Sequence, residues 1–457
     1  MRTRSENRPG RRGAALVFLL ALALRAPAAL HPPRGPLFAD MLEYREKAVA
    51  VAREGSYGHA TRPPLYPLFL AAVYRLVGDG RVGAACAQAF LGAATALLAF
   101  ETARRLCGPR GGLVAGLLVA CYPGLIVYTG LLMSETLYTL LFAAALFVLA
   151  RDEPPAAGAC AAAGALLGLA CLTRSVAAGF IPVAAAWLCL RAGWRRGALL
   201  LLVAAAALAP WTARNALRYG RFVPLDTYGG YNFLFGNNPA ATGRQEPSML
   251  PELGETVWRK WRIEEEDGRS RAVVVCPEGA AAGYRAGARF IAAHPGGFLR
   301  LGIRKLGYLA GPEIRELSWG YSRNLFGPVP RALLLPAALA IVAGFPVLAL
   351  LALSGACFGG GGRGGGWGIL SLALLYVGAA HFLFFGESRF HLPLVPVLAV
   401  FAGRLACPGG GRNRARLAVF AAAAGLLVCN WSVRLGEEWR RVESALGPGG
   451  ATARLDY

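Results

Sequence analysis

Long apolar runs separated by short polar links dominate the chain. They fall near 13–30, 82–103, 111–129, 131–150, 156–173, 175–190, 197–212, 331–354, 367–385, 391–406 and 416–432. A helix needs roughly 20 apolar residues to cross a hydrocarbon core of about 30 Å. The pattern therefore predicts an all-α polytopic membrane protein, a bundle of about eleven transmembrane helices. A shorter apolar run at 64–78 reads as an embedded segment. Two polar stretches break the rhythm, 31–63 and roughly 213–329, together with the short turn from Phe385 to Arg389.

The 213–329 stretch is too long for a plain connection. Within it, Arg285 to Leu309 reads as amphipathic helix interrupted at Pro295-Gly296-Gly297. Leu299, Ile303 and Leu306 recur at helical spacing, with Arg300, Arg304 and Lys305 beside them, which suits a helix lying on a membrane surface. The glycine-rich segment Phe358 to Gly368 follows no strand and lacks the GxxxxGK pattern, so it reads as a flexible linker and not as a phosphate loop. No internal repeat is visible. The organisation expected is a membrane domain over 1–432, with outer loops at 31–63 and 213–329, and a tail over 433–457.

Composition agrees with the pattern. The 457 residues are 56% hydrophobic and 16% charged, against about 25% charged in a typical soluble protein. The net charge of +22 would suit a nucleic-acid binder. Here, however, the arginines cluster in the links: Arg2 to Arg12, Arg104-Arg105-Arg110, Arg191-Arg195-Arg196, and Arg404-Arg412-Arg414-Arg416. The positive-inside rule produces this clustering, and no nucleic-acid partner is expected. With the N-terminus in the cytoplasm, every Arg-rich link is cytoplasmic, and 31–63, 213–329 and the 385–389 turn lie outside. The first apolar run follows Arg11-Arg12 in the manner of a signal peptide, but the many later spans favour a retained helix, with Arg25 snorkelling to the interface. Ten cysteines show no CxxC or Cys/His spacing; most sit in apolar runs and only Cys276 lies in a long polar loop, so neither a zinc site nor a disulfide framework is supported.

The ionisable residues outside the arginine links are the candidates for chemistry. In a helix over the first loop, Asp40, Glu43, Tyr44 and Lys47 share one face. Asp40 follows the first span closely, at the level where a carboxylate can take a proton from a hydroxyl and keep a path to water. Arg62 precedes Pro63-Pro64 and sits just outside the next apolar run. Glu135 is flanked by apolar residues; Ser134 could cap the helix it begins, and an acid at membrane depth is a functional candidate by default. Arg174, between two short helices, falls on the same side. Late in the chain HFLFFGESRFHLPLVPV carries His381, Glu387, Arg389 and His391. Arg389 is suited to a phosphate because it stays charged and binds bidentately; His391 can donate or titrate; Lys305 is a second phosphate candidate. Asn237 and Asn238 read as turn chemistry, and Trp211 as part of an aromatic belt. Acids and cations gathered on one side of an apolar body suit a lipid-linked phosphate substrate.

At these residues the chain resembles the GT-C membrane glycosyltransferases, specifically the bacterial relatives of protein O-mannosyltransferase and the lipid A aminoarabinose transferase (glycosyltransferase family 39-like). The matching segments are FADMLEY, RPPLYPLFLAAVYRLVG, LLMSETLY, ALLGLACLTRSV, APWTARN, GNNP and SRFHLPLVPV, in the family's order over most of 36–400. The resemblance implies a GT-C bundle that transfers a sugar from a polyprenyl-phosphate donor to an acceptor hydroxyl with inversion. It implies Asp40 as general base, Glu135 as the second acidic position, and Arg62 and Arg389 at the family's arginine positions. Tyr44, Arg62, Arg174, Lys305, Arg389 and His391 are the expected substrate contacts, and Asp40 and Glu135 the catalytic pair. The acceptor would be a lipid, a glycan or a protein, and the location the inner (plasma) membrane with an extracytoplasmic site. Met41 follows Asp40 where relatives often carry a second acid. No metal is assigned; a divalent cation held with help from Glu135 stays open. A transporter or flippase of a lipid-linked glycan is the alternative function, and a non-catalytic membrane scaffold a third.

Overall fold

Apolar runs of more than about a dozen residues all become helix. The computed structural model describes residues 8–33, 39–245, 265–266, 269–270, 277–321, 331–360, 364–411 and 413–447. Cys276, Arg412, the middle of the 213–329 loop, residues 361–363 of the glycine-rich linker and the tail beyond 447 lie outside them.

The helices run in order α1 Arg8–Leu30, α2 Ala39–Glu54, α3 Leu65–Val77, α4 Arg81–Ala120, α5 Pro123–Val127, α6 Glu135–Leu149, α7 Ala157–Thr173, α8 Phe180–Ala192, α9 Trp194–Tyr219, α10 Gly229–Gly236, α11 Pro277–Ala293, α12 Pro295–Leu309, α13 Ile314–Tyr321, α14 Arg331–Phe358, α15 Gly365–Leu383, α16 Val395–Gly403 and α17 Arg414–Leu446. Single 3₁₀ turns at Ser175–Gly179 and Ser388–Leu394 matter for the site. A two-residue antiparallel pair joins Glu265–Glu266 to Arg269–Ser270. Among the described residues, eight helical segments are long and apolar enough to cross a bilayer, and Leu65–Val77, Glu135–Leu149 and Ala157–Thr173 are shorter apolar helices. Apart from that short pair the described residues build only helices and their connections, and the protein is a multi-pass membrane protein.

Two details show how the sequence shapes the bundle. The 40 residues of α4 are two helices, broken at Gly108, whose φ of 79° and ψ of 179° no helix contains. Pro109 follows, and a proline disfavours helical conformation in the residue before it. The second half folds back on the first so closely that a Cβ on Gly112 would stand 2.9 Å from the Phe100 carbonyl oxygen. Similarly, Gly164 and Gly168 let α7 meet α9: a Cβ on Gly164 would come within 2.5 Å of the Leu200 carbonyl oxygen. Small residues four apart permit this approach where lipid supplies no hydrophobic drive between helices.

Several expectations shift. Arg25 does not snorkel; it is 0% exposed. Its Nη1 donates to the Ala21 and Ala120 carbonyls, each at 3.0 Å, and its Nη2 to the Val119 carbonyl at 3.2 Å. The carbonyls at the end of α4 have no further turn to bond them, and Arg25 fills that need, with Gly92 leaving room for its side chain. The last helix continues to Leu446, well past the apolar run that ends near 432. The amphipathic stretch does break before Pro295, as two helices, and Leu299 and Ile303 are 57% and 70% exposed. Lys305, expected beside that stripe, points the other way and is fully buried.

Candidate active site

The site begins in the first turn of α2, where Asp40 suits the positive end of the helix dipole. Glu43 and Tyr44 follow one turn on, and Glu43 Oε1 lies 3.8 Å from Lys47 Nζ, so the four-residue face read from the sequence is present. The chain then returns through a loop that Tyr57 fixes, its hydroxyl donating to the carbonyls of Arg62 at 3.0 Å and Pro63 at 3.1 Å. This aims the Arg62 guanidinium at α2. Its Nη2 donates to Asp40 Oδ1 at 2.5 Å and its Nε to Glu43 Oε2 at 2.8 Å. The Tyr228 ring lies under it, 4.8 Å from centroid to guanidinium carbon.

The other oxygen of Asp40 is held from the far end of the chain. Arg389, in the Ser388–Leu394 turn, donates from Nη1 to Asp40 Oδ2 at 3.1 Å. Its Nε stands 2.9 Å from Glu387 Oε2, and Glu387 also pairs with Arg315. Burial disfavours charge on Asp40, but the guanidiniums of Arg62, Arg389 and Arg174 outweigh it and hold the carboxyl well below the usual range.

Arg174 ends α7. Its Nη1 donates to Glu135 Oε1 at 2.7 Å and to Ser134 Oγ at 3.2 Å, and its guanidinium lies 5.4 Å from the Phe390 ring centroid. Ser134 occupies the N-cap of α6, but its side chain makes no cap bond; it accepts from the Tyr44 hydroxyl at 3.1 Å instead. Tyr44 thereby links the Asp40 group to the Glu135 group.

Asp40, Tyr44, Arg62, Arg174 and Arg389 line one cavity of about 460 Å³. Asp226, Tyr228, Asn232 and Tyr284 add polar lining, and α15 with the turn after it adds Ala379, Leu383, Phe384, Phe385 and Phe390 beside Tyr376 and His381. Asp226 accepts from the backbone N–H groups of Tyr228 at 2.8 Å and Gly229 at 3.0 Å, and also bonds Ser175. Burial pushes its carboxyl up to about 6 against those donors.

Three expected site residues do not line the cavity. Glu135 is 1% exposed and sits behind Arg174, so it does not converge with Asp40 on a common cation. Lys305 donates from Nζ to Asn237 Oδ1 at 2.9 Å and to the carbonyls of Phe382 at 3.2 Å and Leu383 at 3.3 Å, closing the end of α15. Asn237 is therefore a partner of Lys305, while Asn238 does close a turn, accepting from the Ala240 N–H at 2.8 Å. His391 belongs to a second buried polar cluster. Its Nε2 is 3.0 Å from Glu313 Oε1 and its Nδ1 is 2.8 Å from the Leu309 carbonyl; Tyr122 donates to the same Glu313 oxygen at 2.8 Å. Sequence reading missed Asp226, Tyr228 and Arg315. Asp226 left a trace in the PLDTYGG turn, whereas Arg315 sits in an unremarkable GPEIREL stretch.

No metal-ligand arrangement forms: among the described residues no three His, Cys, Asp or Glu side chains converge. Both Asp40 oxygens face guanidiniums, and the set present does not fit a divalent cation.

The helical membrane bundle has a GT-C type fold. Residues 61–213 match the family described as dolichyl-phosphate-mannose-protein mannosyltransferase, a stretch that includes Arg62, Glu135 and Arg174. The fold is similar to that of the archaeal oligosaccharyltransferase AglB from Archaeoglobus fulgidus in complex with an inhibitory peptide and a dolichol-phosphate. The TM-score is 0.50 at 13% identity, over 94% of this chain and 55% of that one, so this chain spans about half the length of that enzyme. It is also similar to ArnT from Cupriavidus metallidurans bound to undecaprenyl phosphate, with a TM-score of 0.41 and 16% identity over 86% of this chain and 78% of that one. No curated protein sequence matches the chain.

Proposed function

We propose that the protein is a membrane glycosyltransferase that moves a sugar from a polyprenyl-phosphate donor to an acceptor hydroxyl, with inversion, at the extracytoplasmic face of the inner (plasma) membrane. One observation carries the reading: Asp40 and three guanidiniums, Arg62, Arg174 and Arg389, line a single cavity together with apolar residues of α15 and the turn after it. The guanidiniums fit a phosphate, the apolar residues of α15 and the following turn fit the start of an isoprenoid tail, and the polar residues Asp226 and Tyr228 fit a sugar.

In the reaction the acceptor oxygen attacks the anomeric carbon from the face opposite the phosphate, and its proton passes to the Asp40 carboxylate. The bond between the anomeric carbon and the phosphate oxygen breaks, and its electron pair stays on the phosphate. The arginines stabilise the charge that grows there, so no general acid is required.

Asp40 starts as a weak base, because both its oxygens are bonded to guanidiniums. A donor phosphate competes for the same guanidinium edges. Each edge that exchanges moves Asp40 back toward an ordinary carboxylate, closer to what general-base catalysis requires. Glu135 acts through Arg174, which it neutralises and aims.

The test is incubation of purified protein with radiolabelled polyprenyl-phosphate sugars. Consumption of the donor and release of polyprenyl phosphate support the reading. Movement of intact donor across a vesicle bilayer without consumption would instead favour a flippase.

A further inference from the structure

Glu387 is 4% exposed and does not line the cavity, yet two guanidiniums meet on its carboxylate. Arg315 pairs with Oε1, and Arg389 Nε lies 2.9 Å from Oε2. The backbone holding it is fixed on both sides. The Gly386 N–H donates to the Gly243 carbonyl at 2.9 Å, and the Phe390 N–H donates to the Glu387 carbonyl at 3.1 Å. Gly386 packs so tightly on α12 that a Cβ would stand 1.8 Å from the Lys305 carbonyl oxygen. Glu387 is thus a rigid anchor, and Arg389 is the cavity-lining group that hangs from it.

We infer that Glu387, braced by Arg315, is a positioning residue that anchors Arg389 through Nε so that its Nη edge can pass from Asp40 to the donor phosphate. The inference rests on the donor reading above. A guanidinium offered one carboxylate settles into a bidentate pair. Without Glu387, Arg389 would turn both edges toward Asp40, and an arriving phosphate would have to break both bonds. With Nε held beside Glu387 as an ion pair at 2.9 Å, Arg389 meets Asp40 through Nη1, at 3.1 Å, and that bond is exchangeable. Arg174, which packs on the same Phe390 ring as Arg389, likewise has a buried carboxylate partner, Glu135. The remaining charges near Asp40 are Arg62, Glu43 and Lys47, which belong to a separate chain of pairs.

The experiment uses the full-length protein in detergent, with undecaprenyl phosphate as the binding probe and steady-state kinetics alongside. Glu387→Gln is expected to weaken probe binding by about tenfold or more, the scale of a lost charge-assisted contact. It should raise the donor KM while the acceptor KM changes by less than about twofold. Glu387→Asp, which keeps the charge, should recover part of the affinity. In an Arg389→Ala background Glu387→Gln should make no further difference, because the two act as a unit. Wild-type affinity in Glu387→Gln, or a penalty that adds in full to that of Arg389→Ala, overturns the inference. If the Gln variant does not fold, as judged by its melting in detergent, wild-type affinity in Glu387→Asp overturns it equally. Wild-type protein that binds no undecaprenyl phosphate sinks the donor reading and this inference together, whereas tight wild-type binding with an indifferent Gln variant sinks the inference alone.

Discussion

Arg174 and Glu135 form a hydrogen-bonded ion pair of 2.7 Å in which the arginine lines the cavity and the glutamate is buried behind it. The relationship reassigns Glu135. An acid at membrane depth attracts a catalytic reading, but this one does not line the cavity and pairs with an arginine that does. Arg389 also has a buried carboxylate beside it, Glu387, as an ion pair at 2.9 Å, and neither Glu135 nor Glu387 lines the cavity.

Asp40→Asn should lower transfer by about 10²–10⁴-fold, the usual contribution of a general base. The amide still accepts from one guanidinium, so the protein should remain folded. Donor turnover beside a melting curve checks both halves, and normal turnover would remove Asp40 from the chemistry.

Arg389→Ala should weaken donor binding by about 10- to 100-fold, because it deletes a charge-assisted contact worth about 1.5–3 kcal/mol. Titration with a polyprenyl phosphate reads this directly. Unchanged affinity would exclude Arg389 from phosphate binding.

Lys305→Met should leave donor affinity within about twofold and lower stability by about 1–3 kcal/mol, the range for buried carbonyls left without a donor. Lys305 bonds two carbonyls and Asn237 and does not line the cavity. A large loss of donor affinity in a well-folded variant would return Lys305 to the site.

The Glu313 cluster makes stability depend on pH. Burial pushes Glu313 up to about 8, and burial together with the charge of Glu313 pushes Glu316 up to about 7. Between the ordinary carboxylate range and these raised values the folded protein binds more protons than the unfolded chain. Stability is therefore full at low pH and falls as pH rises through about 7 to 8, by up to about 1.4 kcal/mol per pH unit for each group. Melting temperatures from pH 5 to 8 should decline, and Glu313→Gln should flatten the decline. An equally steep profile in that variant would show that Glu313 does not carry the dependence.

The orientation expected from the arginine links places Ser56, which is exposed in the loop between α2 and α3, outside the cell. A cysteine introduced there, in a background without Cys276 of the long outer loop and the exposed Cys121, Cys189 and Cys429, should react with a membrane-impermeant thiol reagent added to intact cells. Protection until the cells are opened would reverse the orientation.

The periodicity and length of the apolar runs determined by themselves that this chain is a helical, multi-pass membrane protein, because each helix satisfies its own backbone hydrogen bonds in lipid. The shared face of Asp40, Glu43, Tyr44 and Lys47 was equally legible, since helical spacing is a local property. Only the tertiary structure decided which charges meet. Asp40 and Arg389 bond although 349 positions separate them, and His391, two residues beyond Arg389, turns instead to Glu313. A side chain's partner in a polytopic bundle depends on how helices distant in sequence pack, and local pattern does not encode that packing.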